Sequence, residues 1–170
     1  MKQYESGRKL NEKIMNGVNK LADAVGATLG PRGRNVIIKG HNTKPLITKD
    51  GVTVAKFVDF DDPFENLGAQ IIKQASEETN TSAGDGTTTS TMLARAILDK
   101  SQSHLVAGIS PIEIKRGIDM AVSEVVQRLK EKSKPVSTKE EIEQIATISA
   151  NGDKGIGALI GNAVDAVGRD

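Results

Sequence analysis

The run Gly84-Asp85-Gly86-Thr87-Thr88-Thr89 combines residue types that could together hold a phosphate and a metal ion. A helix that begins here would present backbone N–H groups, the positive end of its dipole and several hydroxyl donors at one point. The carboxylate of Asp85 would repel a phosphate unless a divalent cation lay between them, and Mg²⁺ prefers carboxylate and phosphate oxygens. We therefore interpret Gly84 to Thr89 as a nucleotide–magnesium site. Taken alone, the run would also suit a turn between two helices with a strong N-cap.

Two further turns could form walls of such a site. Thr28-Leu29-Gly30-Pro31 has backbone that could approach a ligand closely, and Thr48-Lys49-Asp50-Gly51 offers an ammonium, a carboxylate and a glycine. Taken separately, each is an ordinary turn. One helix terminus contributes only about 0.3–1 kcal/mol at a surface, whereas charge-assisted hydrogen bonds contribute about 1.5–3 kcal/mol each. Useful nucleotide affinity therefore requires that several loops converge.

Other sequence patterns for nucleotide or metal chemistry are absent or weak. No glycine run ends in Gly-Lys-Ser or Gly-Lys-Thr, so the chain has no P-loop. Gly155 to Gly161 has the wrong spacing for a dinucleotide fingerprint, and its small residues favour close helix packing instead. His41 and His104 lack acidic neighbours at metal-ligand spacing. Catalysis would therefore depend on carboxylates and a metal ion.

Composition narrows the class of protein. Of 170 residues, 37% are hydrophobic and 26% charged, as in soluble folded proteins. A formal charge of +1 with three Phe, one Tyr and no Trp argues against nucleic-acid binding. The chain has no cysteine, so thiol chemistry is excluded, and no apolar run approaches the roughly 18 residues that span a bilayer. We expect a cytoplasmic protein or the mature form of an organellar one.

The elements that would position these turns follow from periodicity and caps. Leu10, Ile14, Val18, Leu21, Val25 and Leu29 predict a helix from Ser6 that Gly30-Pro31 ends. Asn35 to Lys39 and Pro45 to Thr48 predict two strands joined by a turn at Gly40 to Thr43. A short apolar piece, Val52 to Phe57, follows.

The rest of the chain predicts helices. The first runs from Phe64 to Thr79 with Leu67, Ile71 and Ala75 on one face. Further helices are expected at Thr87 to Val106, Pro111 to Lys132 and Thr138 to Ala150, and a last helix should end at Gly168. Ser110 with Glu113 and Thr138 with Glu141 form capping signals, and Ser133 to Ser137 is the best linker candidate. Five or six helices with one hairpin make a mostly-α fold. The last helix has few neighbours in the chain to cover it.

Six motifs, in this order, resemble those of group I chaperonin large subunits, the GroEL type. They are Thr28-Leu-Gly-Pro-Arg-Gly-Arg-Asn35, Thr48-Lys-Asp-Gly-Val-Thr-Val-Ala55, Asp62-Pro-Phe-Glu-Asn-Leu-Gly-Ala69, Ala83-Gly-Asp-Gly-Thr-Thr-Thr89, Lys115-Arg-Gly-Ile-Asp119 and Thr147-Ile-Ser-Ala-Asn151. The resemblance covers nearly the whole chain. It implies an equatorial ATP-binding domain over residues 1–133, a hinge near Pro135 and the first part of an intermediate domain over 134–170.

The resemblance also implies roles for single residues. Asp85 would bind Mg²⁺, Asp50 would orient water near the γ-phosphate of ATP, and Lys49 would lie at the phosphates and a K⁺ site. The nucleotide, ATP or ADP, would further contact Thr28, Leu29, Gly30, Pro31, Gly86, Thr87, Thr88, Thr89 and Ser149, the last from a segment that lowers onto the pocket. Identical subunits would form a ring of seven, with Met1 to Gly7 and the Val36 to Thr48 hairpin at subunit contacts.

The main departure from that family is length, because the apical domain, a catalytic aspartate and the C-terminal equatorial half have no counterpart here. The co-chaperonin and unfolded client proteins would therefore be partners of the full-length protein only. We expect the 170-residue chain alone to bind nucleotide weakly, to hydrolyse little ATP and to capture no client. The alternatives are a short, non-catalytic interaction module of chaperonin rings and a separate nucleotide-binding regulator.

Overall fold

A computed structural model describes residues 3–39 and 44–168, which form seven helices and one two-stranded sheet. The elements in chain order are α1 (Gly7–Gly26), β1 (Val36–Ile38), β2 (Leu46–Thr48), α2 (Gly51–Phe57), α3 (Pro63–Ala83), α4 (Thr87–Val106), α5 (Pro111–Lys132), α6 (Lys139–Ser149) and α7 (Lys154–Val167). The predicted mostly-α fold with one small hairpin is confirmed. The helix count exceeds the expected five or six because the apolar piece after the hairpin forms α2.

The hairpin pairs β1 with β2 in antiparallel register, with Val36 opposite Thr48, Ile37 opposite Ile47 and Ile38 opposite Leu46. Ile37 and Ile47 are both more than 60% exposed. The predicted turn at 40–43, including His41, lies outside the described residues.

The core of the first part of the chain lies where α1 meets α2, α3 and α4. Three predicted core positions of α1, Val18, Leu21 and Val25, are completely buried. The helix ends at Gly26, one turn before the predicted end, and Leu29 lies beyond it with 47% of its surface exposed. The four residues after Gly26 instead leave the helix and turn the chain.

Two glycines bring α1 and α3 unusually close together. A Cβ placed on Gly17 of α1 would lie 1.8 Å from the carbonyl oxygen of Glu65, and one on Gly68 of α3 would lie 2.0 Å from that of Ile14. Neither distance is possible for a real side chain, so the two backbones touch at this crossing. The core therefore depends on glycine at both positions.

The buried face of α3 differs from the predicted one. Leu67 and Ile71 are each 48% exposed, and the buried residues are Gly68, Ala69, Ile72 and Ser76. The reason is the close crossing with α1, which places Gly68 rather than the larger neighbouring side chain at the contact.

Side-chain caps are present at several helix starts. Asp62 accepts hydrogen bonds from the backbone N–H groups of Phe64 and Glu65 at the start of α3. Thr138 and Glu141 form the predicted capping box of α6. These bonds pair the N–H groups that a helix start leaves unsatisfied, and so fix where each helix begins.

The chain divides into two compact units, Met1–Ile114 and Lys115–Asp170. In the second unit, α6 and α7 pack through small residues: a Cβ on Gly157 would lie 2.0 Å from Thr147 Oγ1, and Gly161 abuts Glu143. Close packing is therefore the role of the Gly155 to Gly161 run. Helix α5 has no buried residue and leaves Met120 and Leu129 more than 60% exposed.

The stretch without regular structure between α5 and α6 contains the predicted linker, Ser133 to Ser137. None of the helices in the described ranges is both long and apolar enough to cross a bilayer.

Candidate functional site

The loop between α3 and α4 turns on two left-handed glycines. Gly84 (φ +74°) ends α3, and Gly86 (φ +84°) is the N-cap of α4, which begins at Thr87 as predicted. Residues that have a side chain rarely adopt these backbone angles, so glycine is needed on both sides of Asp85. The loop thereby joins α3 to α4 through three residues, with the Asp85 carboxylate next to the start of α4.

The N-terminus of α4 differs from those of four other helices. The N-caps of α2, α3, α6 and α7 are Asp or Thr residues whose side chains accept hydrogen bonds from first-turn N–H groups. At α4 the N-cap is Gly86, which has no side-chain acceptor. The adjacent Asp85 is exposed, and its Oδ1 accepts from the Gly86 N–H at 2.6 Å. A carboxylate and a positive helix end therefore lie side by side at the surface.

The three threonines at this terminus have different environments. Thr87 is 8% exposed, and its carbonyl accepts hydrogen bonds from the hydroxyls of Ser90 and Thr91. Thr88 is half-buried, and Thr89 is exposed. As a result, the hydroxyls of Thr88 and Thr89 are the ones that a ligand at the helix end could most easily reach.

The turn after α1 reaches the same place. Thr28 is 6% exposed, donates to the carbonyl of Val25 at 2.7 Å, and places its Oγ1 3.5 Å from Thr88 Oγ1. The turn is closed by a hydrogen bond from Arg34 N to Ala27 O, and Gly30 adopts φ +72°. Leu29, Gly30 and Pro31 form its exposed outer side. Two segments that are 60 residues apart in sequence thus meet at two hydroxyl groups.

The turn before α2 also reaches Thr88. Asp50 is the N-cap of α2, and its Oδ2 accepts from the Thr53 N–H at 2.9 Å. The next residue, Gly51, is buried, and a Cβ on it would lie 2.2 Å from Thr88 Oγ1. Lys49 and Asp50 are exposed at this edge. The third predicted turn therefore reaches Thr88 through Gly51, which the sequence placed in this turn but without a contact to Thr88.

The structure thus brings one residue of each of the three loops, Thr28, Gly51 and Thr88, together in the first unit. Ser149 is the last residue of α6 and lies in the second unit. Among the described residues there is no cluster of three or more His, Asp or Glu side chains that could hold a metal ion. Mg²⁺ at nucleotide sites commonly has one or two carboxylate ligands, with the rest from phosphates and water, and Asp85 suits that arrangement.

Most of the chain matches known chaperonins in sequence. The model of the TCP-1/cpn60 chaperonin family matches residues 21–170. Over 157 residues, the chain is 55% identical to the mitochondrial chaperonin CPN60 of Euglena gracilis, covering 92% of this chain and 28% of that protein.

Two solved structures share the fold. The chaperonin gp146 from the bacteriophage EL 2 (Pseudomonas aeruginosa), in the presence of ATP-BeFx, has a TM-score of 0.77 and 32% identity over 92% of this chain and 28% of that one. A group III chaperonin in the open state has a TM-score of 0.77 and 21% identity, over 94% and 32% of the two chains. The chain therefore spans about 30% of the length of the relatives it matches.

Proposed function

The chain belongs to the TCP-1/cpn60 chaperonin family, of the group I (GroEL) type, and on that premise we propose that it is the nucleotide-binding part of a chaperonin subunit. In this proposal the subunit assists protein folding through magnesium-dependent binding and hydrolysis of ATP. Residues 1–133 belong to the equatorial ATP-binding domain, and the stretch around Pro135 is the hinge to the intermediate domain.

The observation that supports nucleotide binding most strongly is the convergence at Thr88. Its hydroxyl lies 3.5 Å from that of Thr28 and directly against Gly51, so the starts of α2 and α4 and the end of α1 share one point. Several loops together provide the polar contacts that a single helix end lacks. The solved relative from the bacteriophage was crystallised in the presence of ATP-BeFx, a nucleotide complex that such a site would hold.

We assign the roles as follows. Asp85 is the carboxylate ligand of Mg²⁺, and the backbone of Gly86 to Thr89 with the hydroxyls of Thr88 and Thr89 holds the phosphates. The Thr28 to Pro31 turn contacts the nucleotide, and Lys49 lies at the phosphates beside a monovalent cation such as K⁺. When bound, Mg²⁺ neutralises phosphate charge and removes the repulsion between the phosphates and Asp85.

Asp50 has two roles that its geometry can combine. One carboxylate oxygen, Oδ2, caps α2 through the Thr53 N–H, which fixes the orientation of the side chain. The exposed side chain can then use its other oxygen, Oδ1, to accept a proton or hydrogen bond from water near the γ-phosphate. Ser149, at the end of α6, contacts the nucleotide only when its segment closes over the site.

The wider activity is also a proposal, since the chain covers only part of its relatives. A two-stranded hairpin is marginal by itself, and exposed edges accept a further strand. The exposed Ile37 and Ile47 therefore fit contact with an identical subunit in a ring, which family resemblance sets at seven members. Co-chaperonin and client proteins would bind the longer protein. The mitochondrial relative favours the organellar location over the cytoplasmic one.

The test is magnesium-dependent nucleotide binding to the purified chain. We expect calorimetry or a fluorescent ATP analogue to show weak binding that Mg²⁺ strengthens. Asp85→Ala should reduce the binding in Mg²⁺ by about tenfold or more. The control is Asp99→Ala, because Asp99 is an exposed acid further along the same helix.

Equal binding with and without Mg²⁺, or an Asp85→Ala chain that binds like the parent, would rule the proposal out. The non-catalytic alternative makes a different prediction. There, Asp85→Ala would leave insertion into chaperonin rings unchanged.

A further inference from the structure

Helices α1 and α4 contact each other at three successive levels. At the first, Thr28 Oγ1 lies 3.5 Å from Thr88 Oγ1, just beyond the end of α1. At the second, a Cβ on Gly26 would lie 2.9 Å from the sulfur of Met92. The third is polar: Arg95 Nη1 donates to Asp23 Oδ1 at 2.7 Å, and Arg95 Nε donates to Asn19 Oδ1 at 3.0 Å.

These levels determine how the two helices run. On α4 the contact positions 88, 92 and 95 are separated by four and three residues, so they share one face. Their partners on the α1 side run backwards along the chain, from 28 to 26 to 23, so the helices are antiparallel. A slide of α4 along α1 would change all three contacts together. The register at Arg95 is therefore linked to the register at Thr88.

Arg95 is well suited to fix this register. Its planar guanidinium donates to two acceptors that are one turn apart on α1, which restricts both position and angle. The side chains of Arg95 and Asp23 are 31% and 67% exposed, so water screens this ion pair more than the part-buried hydrogen bond to Asn19. Asp23 is in the last turn of α1, which contains no basic residue. Arg95, which lies on α4, therefore places a positive charge near the C-terminal end of α1, where the helix dipole is negative.

We propose that Arg95 is a positioning residue, whose bidentate contact with Asn19 and Asp23 sets α4 along α1 and so keeps Thr88 beside Thr28. Arg95 lies two turns from Thr88 and takes no part in the ligand contacts assigned above. The effect on nucleotide binding depends on the proposed function of the site. The effect on helix register does not.

The register can be measured without nucleotide, because the chain has no cysteine. In a Thr28→Cys/Thr88→Cys chain, the two thiols should form a disulfide under a mild oxidant. Adding Arg95→Met should slow this reaction by about three- to tenfold, because the chain loses the two partly exposed hydrogen bonds from Arg95 to Asn19 and Asp23. Arg95→Lys, which keeps the charge but not the fork, should give an intermediate rate.

A matched control distinguishes register from general loosening. Lys20→Met removes a 2.6 Å ion pair between α1 and Glu65 of α3, and it should leave the rate of disulfide formation unchanged. An unchanged rate with Arg95→Met, or an equal slowing with Lys20→Met, would overturn the proposal. Should Arg95→Met fail to fold, Asp23→Asn and Arg95→Lys test the same contact.

A second measurement links the register to the ligand. Thr88→Val and Arg95→Met should each weaken magnesium–ATP binding, and the double variant should bind about as well as Thr88→Val alone, because Arg95 acts through Thr88. Additive losses would contradict that route. If the chain bound no magnesium–ATP at all, the proposed function would fail while the disulfide rates still decided the role of Arg95.

Discussion

Gly51, the first residue of α2, lies directly against Thr88 in the first turn of α4. A Cβ on Gly51 would come within 2.2 Å of Thr88 Oγ1 and 3.2 Å of Val25 Cγ1. Gly51 and Thr88 belong to two of the loops that form the candidate site, and Val25 lies in the last turn of α1, just before the third. The absence of a side chain at position 51 therefore allows these segments to meet.

Gly51→Ala should damage both the fold and the site. The added methyl must displace Thr88 or the start of α2, and such overpacking costs about 1–3 kcal/mol. We expect a lower melting temperature and weaker magnesium–ATP binding. Gly117→Ala is the control: Gly117 lies within α5 with open space around it, so the change should raise stability by up to about 1 kcal/mol. A Gly51→Ala chain as stable as the parent would show that the contact can relax.

Gly68→Ala should be more severe, because the atom in the way belongs to the backbone. The new Cβ would lie 2.0 Å from the carbonyl oxygen of Ile14, so α1 and α3 would have to separate. We expect a loss of about 3 kcal/mol, at the upper end of overpacking costs. Denaturant unfolding followed by circular dichroism measures it. A midpoint close to that of the parent chain would show that α1 and α3 can separate at little cost.

Ser76→Ala should stabilise the chain. The Ser76 side chain is completely buried in α3, and its hydroxyl has no hydrogen-bond partner within residues 3–39 and 44–168. Since an unsatisfied buried donor is costly, its removal should add about 1 kcal/mol to the free energy of unfolding. Ser82→Ala on the exposed side of the same helix should change little. Destabilisation by Ser76→Ala would reveal a hydrogen bond at this hydroxyl.

Acid should weaken the attachment of the N-terminal residues. Lys13 Nζ lies 2.9 Å from Glu5 Oε2 and 2.9 Å from Asp62 Oδ2. The hydrogen bond from Lys13 lowers the pKa of Glu5. A hydrogen bond from Lys13 also lowers the pKa of Asp62, where the hydrogen bond from the Glu65 backbone N–H adds to the effect. The same two carboxylates, Glu5 first, raise the pKa of Lys13.

The direction of each shift fixes the pH range. A lowered carboxyl pKa stabilises the fold above the unfolded value of about 4, and this contribution is lost as the pH falls through the folded value. The raised pKa of Lys13 adds stability that is lost only as the pH rises through its folded value, above about 10.5. Melting temperature should therefore fall between pH 5 and pH 3, and fall less in Lys13→Met. Arg8→Met, at an exposed helical pair, should keep the parent's pH profile. Identical profiles for Lys13→Met and the parent would disprove the link.

Local sequence determined where most helices begin and end. The start of α4 at Thr87, the capping box at Thr138 and the end of α5 at Lys132 agree with prediction. These signals act over one helical turn, through hydrogen bonds between a side chain and its own backbone or through the conformational limits of Gly and Pro. The sequence also predicted the three loops of the candidate site, although the roles of their residues remain predictions.

The tertiary structure decided what only contacts between distant segments can fix. That Gly17 and Gly68 mark a backbone crossing, that Thr28 meets Thr88, and that Arg95 binds Asp23 have no signal within one helical turn. The same is true of the buried face of α3, which contains Gly68 and Ile72 in place of the predicted Leu67 and Ile71. Each depends on how apolar faces and glycine gaps fit together when separate helices share one core, and that fit belongs to the pair of helices rather than to either sequence.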